Sequence, residues 1–476
     1  MTDAGVVFPA GPDGRRSTAA LGRAVVADAL RPVDPAGAGA AERETNWRAG
    51  YLTHVRRLVE AGLPSRRAAL TIADAGLTSL HRRLRVAGPD GAETPLGELA
   101  GAPAGRALAT AEVRGTAEPE RELSLPFRGE RLRGDALLRR LDDWVERGIA
   151  EPSAAEAVRT VAAHPEWLAL PDTTVVVLGA GAEMGPLTAL LRWGARVAGV
   201  DLPSPPLWER VLGTARRGAG TLLHPGGGAD LVTEVPAVAD WVAGLPGRLV
   251  LGDYVYADGA TNVRVSAAVD ALTVRLAAAR ADLALAFLAT PTDVFAVPAD
   301  AVEQSVRAYA GRSRPGKLLG RPLRTLSAGR LLQRAYLPGS DPGIADSLVP
   351  QQGPNYALAK RLQRWRATVA RAAGTTVSMN VAPPTRTRSV VRNRALAAAY
   401  AGAHRFGVEV FDPATSNVLM AALLVHDLHT GGGPVHEHPW QDEAYAAVHG
   451  GLWRTAYAPR SALGLAAVLG YGAARS

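Results

Sequence analysis

Two stretches carry residue types at spacings that could do chemistry. The first, Pro354-Asn355-Tyr356-Ala357-Leu358-Ala359-Lys360, sets a phenol four residues before an ammonium. If residues 356–373 form a helix, the two side chains lie one turn apart on the same face. An ammonium beside a phenol favours the phenolate, so Lys360 is expected to lower the Tyr356 pKa from about 10 and make the hydroxyl a usable proton donor or acceptor. Composition singles out the lysine: of 53 basic residues only Lys317 and Lys360 are not arginine. A compact point charge therefore stands at 360 where the chain elsewhere uses a bulky fork.

The second stretch begins at the apolar run 174–178 and continues as Gly179-Ala180-Gly181-Ala182-Glu183-Met184-Gly185, an apolar segment 186–193, and a second apolar run ending at Asp201, 22 residues after Gly179. Strand, glycine turn, helix, strand and acid in that order are expected of a dinucleotide half-site. Gly179, Gly181 and Gly185 would let backbone approach a pyrophosphate, a helix N-terminus would stabilise its charge, and Asp201 would accept from the adenosine ribose hydroxyls. A carboxylate there repels a 2′-phosphate, so of NAD and NADP the former is preferred.

Further elements must bring these stretches together. Residues 221–224 or 229–232 read as a third strand, 236–245 as a helix, 248–251 as a fourth strand, 263–280 as a helix, and 283–289 as a fifth strand ending at Thr290-Pro291-Thr292-Asp293. This alternation predicts an α/β fold with a doubly wound parallel sheet of Rossmann type over residues 169–430. Residues 1–168 read as a mostly helical N-terminal extension. It includes an amphipathic helix at 135–145 and a small hairpin from 108–113 and 122–127. Residues 431–476 read as a C-terminal helical extension. The segment 293–345 is an insertion carrying Arg307, Arg312, Arg314, Lys317, Arg321, Arg324, Arg330 and Arg334, a charge suited to an anionic substrate such as a carboxylate or a carrier's phosphopantetheine.

The helix Asn355-Tyr356…Lys360 and the following Val377-Ser378-Met379-Asn380-Val381-Ala382-Pro383 resemble the active-site helix and next strand of the short-chain dehydrogenase/reductase superfamily. The resemblance implies an NAD(P)-binding Rossmann fold in which Tyr356 protonates a carbonyl oxygen while a nicotinamide delivers hydride to its carbon. Lys360 would also bond the nicotinamide ribose, Asp230 would lie beside the adenine, and a serine would hold the carbonyl. Ser340, 16 residues before Tyr356, is chosen for that last role over Ser347, Thr290 and Thr292. The sequence departs from the family at two places. Leu187 stands where the third glycine of its turn falls, and the fourth strand runs into Gly252-Asp253-Tyr254-Val255-Tyr256 instead of an Asn-Asn-Ala-Gly signature. Three other functions fit the same stretches. They are an S-adenosylmethionine-dependent methyltransferase that leaves Tyr356 idle, a nucleotide-binding scaffold without turnover, and an epimerase or dehydratase with tightly bound NAD.

Composition bounds the rest. The chain has 476 residues, 47% hydrophobic and 21% charged, with no cysteine and so no disulfide, thiolate nucleophile or thiolate-bound metal. The net charge of +8 comes from arginines interspersed with acids, which describes a solvated surface and argues against nucleic acid as partner. No signal-peptide core and no membrane-spanning apolar run is evident, so a cytoplasmic protein, a homo-oligomer acting on a small-molecule or carrier-bound carbonyl or alcohol, is expected. His426, His429, His436, His438 and His449 cluster late in the chain; His426 and His429 at i, i+3 with His436-Glu437-His438 nearby could in principle bind zinc, but the signal is weak and no metal is expected.

Overall fold

A computed structural model describes residues 4–88, 90–312, 322 and 325–472. The apolar runs form a seven-stranded sheet built from β1 (Thr110–Arg114), β2 (Thr173–Leu178), β3 (Arg196–Val200), β4 (Thr221–Pro225), β5 (Arg248–Asp253), β6 (Ala284–Ala289) and β9 (Val377–Val381). Its spatial order is β9-β6-β5-β2-β3-β4-β1. All neighbours are parallel except β1, which runs antiparallel to β4 at the edge. Counted along the chain, the six parallel strands lie in the order 3-2-1-4-5-6, the doubly wound arrangement whose crevice opens where the order reverses, between β2 and β5.

The strands read as continuous apolar runs because both faces are covered. Val176 and Leu178 of β2 join one core with residues of helices Thr18–Leu30, Trp47–Gly62, Arg66–Arg83 and Ala260–Ala279 and of α3 (Gly353–Ala372). Val175 and Val177 join the other, with helices Gly134–Glu146 and Pro152–Ala163, α1 (Leu187–Arg192), α2 (Pro205–Arg217) and α5 (Pro413–His429). The N-terminal third thus contributes to both faces, and β1 lies between its two halves. At about 25 cal/mol per Å² of apolar surface, such two-sided burial is the main term holding the layers together.

One local expectation is corrected, and the insertion is found to have structure of its own. Residues 108–113 do not pair with 122–127. Instead Leu125–Phe127 pairs with Glu130–Leu132 across Arg128 and Gly129, whose φ values of 49° and 85° make a tight two-residue hairpin turn, which frees β1 to cap the large sheet. The insertion is also no open loop. It starts as β7 (Val294–Val297) and ends as β8 (Gly343–Asp346), paired antiparallel with Val294 opposite Asp346, and holds the helix Ala299–Ala310. Arg314, Lys317, Arg321 and Arg324 lie outside the described residues. After β9 come α4 (Arg394–Gly402), α5 and, near the end, α6 (Pro459–Gly470), with α4 packed on α6. Among the described residues no helix is long and apolar enough to cross a membrane.

Candidate active site

Helix α3 starts at Gly353, whose φ of +81° turns the chain, with Pro354 pre-set for the first helical turn. Tyr356 follows in that turn. Thr290, the residue just beyond β6, has its hydroxyl near enough to the phenol to favour the phenolate. Thr290 Oγ1 lies 2.8 Å from Thr292 Oγ1, so two threonine hydroxyls stand paired beside the phenol. Two more phenols close in. The Tyr256 ring stands edge-on 6.2 Å from that of Tyr356, and burial, with Tyr356 ionisation adding to it, raises the pKa of Tyr400 on α4.

Lys360, one turn further along α3, donates to Leu288 O of β6 at 3.1 Å and to Gln363 Oε1 at 2.9 Å. The ammonium therefore sits over the carboxyl end of the sheet, near the buried Asp253 that ends β5. Burial pushes the Asp253 carboxyl up to about 6, opposed by the Lys360 charge and a hydrogen bond from Gln363. Burial also lowers the Lys360 pKa, while Asp253 and Asp293 raise it. The expectation that Lys360 lowers the Tyr356 pKa is corrected. Burial pushes the phenol up to about 12, with Asp293 adding to the rise and the Thr290 hydroxyl opposing it, because the ammonium spends its donors on Leu288 and Gln363.

The choice of Ser340 is corrected as well. Its hydroxyl donates to Leu337 O at 2.9 Å within its own turn, and the hydroxyl that meets Tyr356 is that of Thr290, 66 residues earlier. The β7–β8 ladder explains this, since it closes the insertion on itself and returns the chain to the exit of β6. A buried ion cluster then locks that exit to α3. Asp293 accepts from Arg361 Nη2 at 3.0 Å and from Arg364 Nη1 at 2.7 Å, and Arg364 also bonds Glu443 at 2.7 and 2.6 Å.

The glycine turn occupies the crevice between β2 and β5. Gly179 has a φ of +82°, and a Cβ there would lie 2.9 Å from Tyr254 O, so the position excludes a side chain on two counts. Asp201 sits at the end of β3, where Oδ2 accepts from the Gly181 N–H at 2.8 Å and Oδ1 from the Leu202 N–H at 2.8 Å. Burial raises its pKa against those two hydrogen bonds and the Arg210 charge. Arg210 of α2 donates to Gly181 O at 3.1 Å, and Asn417 of α5 donates to Gly185 O. Asp230 lies beyond β4. Its Oδ1 accepts from the Val232 N–H at 2.9 Å, and the neighbouring Ala229 N–H bonds Asp201 O at 2.9 Å, so the two acids share one corner.

The donor set fits the adenosine half of a dinucleotide. Each Asp201 oxygen retains acceptor capacity beyond its backbone N–H, which a ribose diol can use. Arg210 beside it is the residue type that accommodates a 2′-phosphate, so the acid alone does not decide between NAD and NADP. The late histidines are engaged elsewhere: His436 with Asp442, His438 as a helix cap, His449 with Glu151. Among the described residues no group of three potential ligands could hold a metal ion.

Asp253, Gln363, Tyr256 and Tyr400 were missed in the sequence. The signal for Asp253 was its place at the end of the fourth parallel strand; Tyr400, 44 residues after Tyr356, gave none.

No protein-family model matches the chain, and no curated protein does. One solved structure that it resembles is described as a candidate NAD(P)-dependent gluconate 5-dehydrogenase from Beutenbergia cavernae with bound NADP, at 16% identity and a TM-score of 0.33, over 60% of this chain and 98% of that one.

Proposed function

We propose that the protein is an NAD(P)-dependent oxidoreductase that reduces a carbonyl, or in reverse oxidises an alcohol. The observation that carries the reading is Tyr356 and Lys360 on one face of α3 at the carboxyl end of β6, beside the Thr290–Thr292 hydroxyl pair, on a sheet whose order matches that of dinucleotide-binding folds. Gly179, Gly181, Gly185 and Asp201 would hold the dinucleotide, with Asp230 and Arg210 at its adenosine end. A bound reduced nicotinamide supplies a hydride to the carbonyl carbon. Tyr356 Oη gives the proton to the carbonyl oxygen, which Thr290 Oγ1 orients, and Thr292 stands behind to pass a replacement proton inward. A phenol with its pKa at about 12 stays protonated at neutral pH, which suits the reductive direction. Lys360 holds Leu288 and Gln363 in place and offers its third donor hydrogen to the nicotinamide ribose.

Titration of the purified protein with NADH, NADPH and S-adenosylmethionine tests the binding half, with binding of either nicotinamide expected. Tyr356→Phe tests the chemistry: turnover with an aldehyde panel falls by about 10² or more, the scale of positioned proton transfer. Binding of S-adenosylmethionine alone, or a Phe variant as active as the wild type, overturns the proposal. A second reading, a nucleotide binder without turnover, draws on the Lys360 ammonium facing Leu288 and Gln363 and not the phenol. Nicotinamide binding with no turnover of any carbonyl would favour it.

A further inference from the structure

Two cavities that share a wall lie beside the Thr290–Thr292 hydroxyl pair. The first is lined by Thr292 and Tyr400, with Val349, Phe406, Leu463 and Ala466 among its walls. It adjoins the site through Thr292, which lines it and is bonded to Thr290. Its walls come from α4, α6 and the stretch after β8, and they are overwhelmingly apolar.

Pro459 and Arg460, on its wall, also line a second cavity of opposite character. Arg56, Arg330, Arg334 and Arg460 face it, against the single carboxylate of Asp346. That carboxylate is already used: Arg460 Nη2 lies 2.9 Å and Arg56 Nη1 3.8 Å from its Oδ2. Arg56 has a further partner in Glu60 at 2.7 Å. Arg330 and Arg334 form no ion pair among the described residues, and Arg334 only stands over the Tyr309 ring at 4.9 Å. Four guanidiniums converge on a concave site with one carboxylate among them, and a fork of N–H donors matches anionic oxygens.

We propose that the substrate is an elongated anion: its carbonyl lies at Tyr356 and Thr290, its apolar body fills the first cavity, and a carboxylate or phosphate head is held by Arg330, Arg334 and Arg460 in the second. The reacting end rests on the function proposed above. The apolar body and anionic head rest on the two cavities alone.

Calorimetric titration of the full chain with decanoate, decyl phosphate and decan-1-ol tests the site without needing turnover. The two anions bind at least tenfold more tightly than the alcohol. That advantage falls about tenfold for each arginine removed in Arg330→Ala and Arg334→Ala, the scale of a hydrogen bond to a charged group. Both arginines are exposed, so the variants keep the fold. Leu463→Trp, which fills the first cavity, weakens all three ligands. Whichever anion binds more tightly names the head group. Equal affinity for decan-1-ol and the anions, or an advantage that survives loss of both arginines, overturns the proposal. Turnover of 10-oxodecanoate with NADH or NADPH is the separate readout of the redox reading. Arginine-dependent decanoate binding without that turnover sinks the redox reading and supports the anion site.

Discussion

Removing the Asp293 carboxylate is the sharpest probe of how the site is held. Asp293 is 2% exposed, and its oxygens take one hydrogen bond each from Arg361 and Arg364 and a third from the Val294 N–H at 2.7 Å. The two arginines are not equally dependent on it. Arg364 keeps both bonds to Glu443, whereas Arg361 has no other acid within salt-bridge distance among the described residues, and its Nε is buried without a partner. Burial, then the neighbouring Arg364 charge, already pushes Arg361 down to about 10. Asp293→Ala therefore strands a buried cation, and breaking such a pair from one side costs about 3–5 kcal/mol. With an unfolding entropy of about 1 kcal/mol/K for a cooperative unit of 476 residues, the thermal midpoint should fall by about 3–5 °C. Adding Arg361→Met should recover part of the loss, because replacing both partners by apolar groups removes the unpaired charge. Scanning calorimetry on the two variants decides the matter. A single variant within about 1 °C of wild type, or a double variant less stable than the single by the full cost of a second independent deletion, refutes the brace.

Three further outcomes follow from the same geometry. Thr290→Ala should cut carbonyl turnover by about 10² and Thr290→Ser far less, while Ser340→Ala should leave it unchanged; initial rates with NADH and NADPH check this. Glu151 and Asp270 set the acid limit of stability. Burial raises both carboxyls, but His449 and Arg454 on the one, and Arg366 and His81 on the other, outweigh it and hold each at about 2. Both values lie below those of the unfolded chain, so each contribution is complete above about pH 4.5 and disappears as pH falls toward 2, about 3 kcal/mol apiece. Melting curves should steepen over that window and flatten there in Glu151→Gln. Gly179→Ala, which puts a Cβ against Tyr254 O at a φ of +82°, should lower the melting midpoint and weaken nicotinamide binding; a variant that melts and binds as wild type contradicts the close approach.

What the sequence made legible was whatever lies within one supersecondary unit. The run from β2 to Asp201 could be read because each part constrains the next over about thirty residues: the apolar strand, the turn needing glycine at Gly179, and the second strand whose last residue returns to bond Gly181. Pairing across long intervals was not legible. Residues 108–113 lacked a local partner, and nothing nearby indicated that they would run antiparallel to β4 more than a hundred positions later. The same limit misplaced the third hydroxyl. Counting back from Tyr356 favours Ser340, but distance along the chain stops measuring distance in space once a segment is closed by its own ladder. The β7–β8 pairing makes the 53 residues between Asp293 and Ser347 a side excursion whose ends are bonded, Ser347 N–H to Asp293 O at 3.1 Å. Thr290 is thereby returned to Tyr356 as though the insertion were absent. The charge of Lys360 could be read, but its orientation could not, because the acceptors that capture it, Leu288 O and Gln363, are a backbone atom and a neutral side chain. The insertion need not disturb the carbonyl site it interrupts, and its two ends are free to build something new beside it. Tyr336, Ile344 and Asp346, from its closing portion, line the arginine cavity together with Arg56 from the N-terminal third and Arg460 from the last helix. Three segments remote in sequence meet there, so the charge of the insertion, Arg330 and Arg334 included, could be read, whereas its convergence with Arg56 and Arg460 could not.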